Sequence, residues 1–189
     1  GPGFGGSCFK KDILNLIYIS NHYGLKKVAD YWQQVLEINE WQIRRISKII
    51  VEKLFGTISG KKLAILGFSF KANTNDTRES PAINICSDLL DEGAKLSIYD
   101  PQVTLNQMFK DLKSYDKKIT KAKTIDESIS KSDAVIILTE WKIFKSLDWQ
   151  NLYNSMRKPA WIFDTRGIVE FNSIKDCEIN YWRIGLSKN

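Results

Sequence analysis

Apolar side chains recur at Val28, Trp32, Val35, Ile43, Ile46, Ile50 and Leu54, in steps of three and four once Asn39 is counted among them. That spacing lays one stripe along a helix from about Lys26 to Phe55. At 1.5 Å per residue such a helix is about 45 Å long, and helices longer than most globular ones link domains or form subunit interfaces. Asn39 breaks the apolar rule: it makes a buried polar contact, or the stripe rotates there. Upstream, Ile13, Leu14, Leu16, Ile17 and Ile19 predict a helix from Asp12 to about His22, closed by Gly24 as a C-cap. The first seven residues hold four glycines and predict a loop.

The texture changes after Gly56 to Gly60. Lys62 to Gly67 is a short apolar run ending in glycine, the pattern of a buried parallel strand. A polar loop follows from Phe68 to Glu79. Ser80 and Pro81 then read as N-cap and first residue of a helix reaching Gly93. Four further strands are predicted at Leu96–Tyr99, Ala134–Leu138, Ala160–Phe163 and Ile179–Ile184, with helices near Thr124–Ser130 and Leu147–Met156. Strands alternating with helices specify an α/β fold: a Rossmann-like, doubly wound parallel sheet. Residues 59–189 are expected to form that domain, and residues 1–58 a helical segment.

The length of 189 residues suits one domain or one plus part of another. No apolar run of about 18 residues occurs, so no membrane span is expected. His22 is the sole histidine, which excludes a His-rich metal centre. The net charge of +6 gathers partly in Lys110, Lys113, Lys117, Lys118, Lys121 and Lys123. Acidic residues (Asp111, Asp116, Asp126, Glu127) interleave them, so the stretch reads as a solvated helix-and-loop surface. No nucleic-acid-binding motif accompanies it. Three unpatterned cysteines predict free thiols in a reducing, cytoplasmic setting. A start at Gly1-Pro2, with no Met and no signal peptide, reads as a cut or truncated chain.

Open α/β sheets bind ligands beyond the carboxyl ends of their strands. Polar groups gather there in the loop after Gly67, at Asp100, and at Asp164-Thr165-Arg166. The first loop offers Lys71 and Arg78 to an anion, or Arg78 simply pairs with Asp76 or Glu79. Cys8 follows Gly-Gly-Ser and opens a helix bearing Lys10, Lys11 and Asp12. A thiol at a helix N-terminus beside cations is expected to have a lowered pKa and to be nucleophilic. Cys86 reads as core, and Cys177 has no catalytic company.

Three motifs, Gly3-Phe-Gly-Gly-Ser-Cys8-Phe-Lys-Lys11-Asp12, then Phe68-Ser-Phe-Lys71 leading to Asp76-Thr-Arg78-Glu-Ser-Pro81, then Phe163-Asp-Thr-Arg166, together resemble the UDP-glucose 6-dehydrogenase family. They stand in the family's order across nearly the whole chain. The resemblance implies the C-terminal part of such an enzyme: a catalytic-cysteine loop, a central helical dimerisation region and a UDP-binding domain, without the N-terminal NAD domain and so inactive alone. It implies oxidation of UDP-glucose to UDP-glucuronate with NAD as cofactor, through a thiohemiacetal and a thioester on Cys8. Asp12 would assist hydrolysis from one helical turn away. Phe4, Gly5, Phe70, Lys71 and Arg166 would bind substrate, while Cys8, Lys11 and Arg78 would meet the cofactor. The chain departs from the family pattern at Ala72 and Asn73, which follow Lys71, and at Gly167, where some members carry a second Arg.

Competing expectations are a sister enzyme acting on GDP-mannose or a UDP-N-acetyl sugar, a non-catalytic nucleotide-binding and dimerisation module, and an ordinary NAD-binding domain with Asp100 on a ribose hydroxyl. The missing glycine fingerprint argues against the last. The long helix with Trp32 and Trp41 predicts a homodimer through paired helices, with a higher oligomer left open.

Overall fold

The computed structural model describes residues 1–113 and 118–186. Two helices come first, α1 (Phe9–His22) and α2 (Lys26–Lys53). A six-stranded, all-parallel sheet follows, formed by β1 (Lys62–Leu66), β2 (Lys95–Tyr99), β3 (Ile119–Lys121), β4 (Ala134–Ile137), β5 (Trp161–Asp164) and β6 (Asn180–Arg183). Its order is β3-β2-β1-β4-β5-β6, so the direction of winding reverses between β1 and β4. The connecting helices are α3 (Pro81–Asp91), α4 (Leu105–Asp111), α5 (Ile125–Ile129) and α6 (Trp149–Ser155).

The strands alternate between two cores. Leu63, Ile65, Leu96, Ile98, Ala134 and Ile136 face one side, where α3 and the C-terminal half of α2 cover them through Ile85, Leu89, Ile43, Ile46, Ile50 and Leu54. Ala64, Leu66, Val135, Ile137 and Ile162 face the other, against Ile129, Phe144, Trp149 and Leu152. Burial on both faces explains why these strands read as unbroken apolar runs. The expected α/β class and parallel sheet are therefore found, and the second half of the long helix helps cover the sheet.

Several expectations change in detail. The α2 stripe rotates: Ala29 and Leu36 are buried, whereas Val28 is exposed. Helix α1 starts at Phe9, three residues before the expected Asp12. The sheet has a strand more than the sequence suggested, β3, lying within the lysine-rich stretch. Of its three residues only Ile119 is buried, too little apolar signal to read. Helix α4 was also unread, although Thr104 caps it by accepting a hydrogen bond from the Gln107 amide at 3.2 Å. Asp116 and Lys117 lie outside the described residues. Among the described residues, no helix is long and apolar enough to cross a membrane.

Candidate active site

The glycine–cysteine loop is docked at the carboxyl end of the sheet, onto the loop that follows β1. The Gly6 amide donates to the Arg78 carbonyl at 3.0 Å. A Cβ on Gly5 would sit 2.2 Å from the Glu79 carbonyl oxygen, and one on Gly6 would sit 2.9 Å from the Phe70 ring. Gly6 also has a φ of +91°, in the region glycine favours. The two glycines are thus required by close approach to backbone and ring. Lys10 pairs with Glu79 at 2.8 Å and joins the same two segments at their rim.

The other side of the loop is held by α2. The Asn39 side chain accepts from the Phe4 amide at 2.8 Å and donates to the Phe4 carbonyl at 3.1 Å. This resolves the polar break in the stripe: the amide reads both backbone groups of one residue as a strand neighbour would. Beyond this clamp the Phe4 ring meets the Phe9 ring edge-on at 4.7 Å between centroids. Cys8 is exposed and sits at the N-cap of α1, with its sulfur 3.7 Å from the Ser7 hydroxyl. Asp12 is one turn away, its amide bonded to the Cys8 carbonyl at 2.9 Å, so both side chains rise from one helix face. Lys11 and Asp12 are exposed.

Arg78 does pair with Asp76. Its Nε and Nη2 reach the two carboxylate oxygens at 3.0 and 2.8 Å, a forked geometry. That hydrogen bonding holds the Asp76 carboxyl below its ordinary pKa and raises the Arg78 guanidinium. The guanidinium also feels the Cys8 sulfur and is 70% exposed, which leaves its outer edge open to an incoming anion. Lys71 lies with its ammonium 5.3 Å from the centre of the Phe70 ring.

Arg166 is the most enclosed cation of the group. Its Nε donates to the Leu138 carbonyl at 2.7 Å and its Nη2 to the Phe70 carbonyl at 3.3 Å. Its Nη1 pairs with Glu140 at 3.1 Å. Burial lowers its pKa and Glu140 opposes that shift. These contacts cinch the carboxyl ends of β1, β4 and β5 together. Two of its five guanidinium N–H groups are hydrogen-bonded and Nη1 lies in the ion pair, so N–H groups remain for a ligand. Glu140 was missed in the sequence, although it follows β4 where the sheet's polar ends were sought.

Asp100 is not a ribose ligand. It is buried, and its oxygens accept from the amides of Phe68 (2.7 Å), Ser69 (3.2 Å), Gln102 (2.9 Å) and Val103 (3.0 Å), and from the Trp141 indole (3.2 Å). Those bonds spend the carboxylate on shaping the strand ends. Gly67 is followed by a buried Phe68. Asp164 is likewise a turn former, accepting from the Arg166, Gly167 and Val169 amides. Of the nine residues named from sequence, Gly5 abuts Glu79 beside Arg78, Arg166 bonds the Phe70 carbonyl, Lys71 lies over the Phe70 ring and Cys8 lies near Arg78, while Lys11 and Asp12 stand on the exposed start of α1.

The UDP binding domain of the UDP-glucose/GDP-mannose dehydrogenase family matches residues 64–171, and the central domain of that family matches residues 1–41. Among curated relatives, UDP-glucose 6-dehydrogenase of Drosophila melanogaster is 48% identical over 192 residues, covering 97% of this chain and 40% of its own length. UDP-glucose 6-dehydrogenase 4 of Arabidopsis thaliana is 46% identical over 200 residues, covering 97% and 42% respectively. A solved UDP-glucose dehydrogenase from Pyrobaculum islandicum superposes with a TM-score of 0.74 at 28% identity, over 96% of this chain and 38% of that one. A UDP-D-ManNAc dehydrogenase from Pyrococcus horikoshii gives 0.74 at 25% identity, over 98% and 39%. The chain thus spans about two fifths of the length of the relatives it matches.

Proposed function

We propose that this chain, which belongs to the UDP-glucose/GDP-mannose dehydrogenase family, supplies the nucleophilic cysteine and the nucleotide-binding sheet of a UDP-glucose 6-dehydrogenase. The reaction is the four-electron oxidation of UDP-glucose to UDP-glucuronate. When bound, NAD supplies the hydride acceptor for both oxidations. The Cys8 sulfur adds to the carbonyl carbon of the C6 aldehyde, and the oxygen takes up a proton, giving a thiohemiacetal. Loss of hydride and of that proton leaves a thioester, which water opens to the carboxylate and the free thiol. Asp12 takes the proton of the attacking water. The covalent adduct keeps the reactive aldehyde on the protein between the two oxidations.

The remaining roles follow from position. Phe4, Gly5, Phe70 and Lys71 line the sugar-nucleotide side, and the free N–H groups of Arg166 meet its oxygens. Lys11 and Arg78 offer positive charge to the cofactor's phosphates. One observation carries this reading: the cysteine loop is docked onto the 68–80 loop, which brings the thiol to the ligand-binding end of the sheet. The identity with UDP-glucose enzymes favours glucose over the GDP-mannose or UDP-N-acetyl sugar alternatives. Residues 1–58 act as the cysteine and helical region, and 59–189 as the UDP-binding domain. All three cysteines are free, in keeping with a cytoplasmic location.

A second copy of this chain is the partner expected on α1 and α2. Tyr18, Tyr23, Tyr31, Ile38 and Trp41 are exposed there, an apolar face that paired helices would cover. Sedimentation at micromolar concentration should give a dimer; a clean monomer overturns this. Calorimetric titration with UDP, UDP-glucose and NAD, each separately, tests the site. Binding of UDP and UDP-glucose supports it, and binding of NAD without UDP refutes the assignment of the sheet.

A further inference from the structure

At the end of the sheet opposite the cysteine loop, the strands begin among cations. Lys62 opens β1 and Lys95 opens β2, and the register sets the two lysines directly side by side. Lys118 immediately precedes β3, and Arg157 lies shortly before β5. These four side chains, with Ser97 and Thr120, line a cavity of about 250 Å3 that has no carboxylate in its lining among the described residues. Like charges paired across neighbouring strands are unfavourable. By contrast, the roomier groove between α2 and α3, about 600 Å3, sets Arg44 and Lys48 against Glu52, Asp88, Asp91 and Glu92, so its lining is acidic on balance.

The acids near the basic cavity are engaged around its cations. Asp133 accepts from the Lys62 amide at 2.8 Å and pairs with Arg157 at 3.3 Å. Lys62 Nζ donates to the carbonyls of Ser130 (2.6 Å) and Glu127 (3.3 Å), and Lys118 Nζ to that of Leu90 (3.3 Å). Carbonyls fix these ammonium groups in place without neutralising them, and each keeps a donor free. The Lys95 side chain has no hydrogen-bond or ion-pair partner among the described residues. Burial lowers the pKa of Lys62, and its cationic neighbours Arg157 and Lys131 lower it further against the pull of Glu127.

We propose that this cavity is a second anion site, separate from the nucleotide crevice, that takes a compact diphosphate. Two adjoining tetrahedral groups would satisfy Lys62 and Lys95 on one side, and Lys118 and Arg157 on the other. Five-residue strands at about 3.3 Å per residue put roughly 16 Å between this end of the sheet and the crevice, so the two sites fill independently. The ligand is pyrophosphate itself or the phosphate tail of a nucleotide, since both present the same groups.

Titration of the chain with pyrophosphate at fixed ionic strength, followed by amide chemical shifts, tests the proposal. The expected result is saturable one-to-one binding that shifts residues 95–97, 118–120 and 157 and leaves 68–71 and 164–167 in place. Lys95→Ala and Lys118→Ala should each weaken it about tenfold, the loss of one charge-assisted contact. Lys142→Ala, an exposed lysine outside the cavity, should leave it unchanged. ATP run alongside identifies the source: tighter binding than pyrophosphate at the same amides points to a nucleotide tail, and equal or weaker binding to pyrophosphate. Shifts confined to the crevice, shifts that do not saturate, or equal loss in Lys142→Ala overturn the proposal. Because UDP binding at the crevice is read at other amides, the outcome is independent of the function proposed above.

Discussion

Replacing Asn39 with Ala removes both hydrogen bonds that hold the backbone of Phe4, at 2.8 and 3.1 Å. The site is half-buried, so water replaces part of what is lost. At about 0.5–1.5 kcal/mol for each bond, the change costs about 1–3 kcal/mol. That energy is local, because Asn39 touches the cysteine loop and leaves the apolar contacts of α2 intact. Hydrogen exchange at the Phe4 and Gly6 amides should therefore accelerate by roughly 5- to 150-fold, while the strand amides of β1 and β4 keep their protection. Asn39→Asp discriminates further. It keeps an acceptor for the Phe4 amide but sets a carboxylate oxygen against the Phe4 carbonyl, so it should loosen the loop as Ala does. Unchanged exchange at Phe4 in Asn39→Ala would refute the clamp, and equal acceleration throughout the sheet would show that Asn39 supports the whole fold instead.

Gly5→Ala forces a Cβ against the Glu79 carbonyl and should cost about 1–3 kcal/mol by overpacking; a melting temperature equal to that of the parent chain would contradict the docked loop. Alkylation followed by mass spectrometry should label the exposed Cys8 first. Buried Cys86, whose pKa burial pushes far up, should react only on unfolding, and early labelling there would be decisive against the described core. Asp76 should titrate below its ordinary 3.8 because Arg78 bonds it. A depressed carboxyl pKa contributes stability above the unfolded value and loses it as pH falls through the folded one, so this loop contact weakens only below about pH 4. An NMR titration in Arg78→Ala should return the midpoint toward 3.8, and an unmoved midpoint would break the assignment.

What was legible in the sequence and what was not divides along a physical line. β1, β4 and β5 announced themselves because burial on both faces demands an unbroken apolar run, and Ser80-Pro81 announced α3 because its capping chemistry is local; the Ser80 hydroxyl does accept from the Ala82 amide at 3.3 Å. β3 was silent because an edge strand of three residues needs only Ile119 in the core. The cysteine loop was legible as composition, since four glycines and a thiol are visible in one dimension. Its docking was not, because the groups that hold it are 35 to 75 residues away in the chain. Asn39 was seen as an anomaly and Glu140 was not seen at all, yet both act through long-range contacts with backbone or guanidinium groups.

The same division bears on the competing reading of Asp100, which the missing glycine fingerprint already argued against. An aspartate after the second strand of a Rossmann-like sheet invites a ribose, and nothing local to Asp100-Pro101 says otherwise. What decides its role is the supply of donors. Phe68 and Ser69 present two amides from the end of β1, Gln102 and Val103 present two more, and Trp141 adds its indole. A buried carboxylate surrounded by that many donors is satisfied without a ligand, and removing it would orphan all of them together. An aspartate at this place in a sheet of this shape can therefore serve its architecture alone. In the function proposed above, the ligand-facing chemistry falls instead to groups that retain unspent donors and exposed edges: Lys71, Arg78, Arg166, and the thiol of the glycine loop.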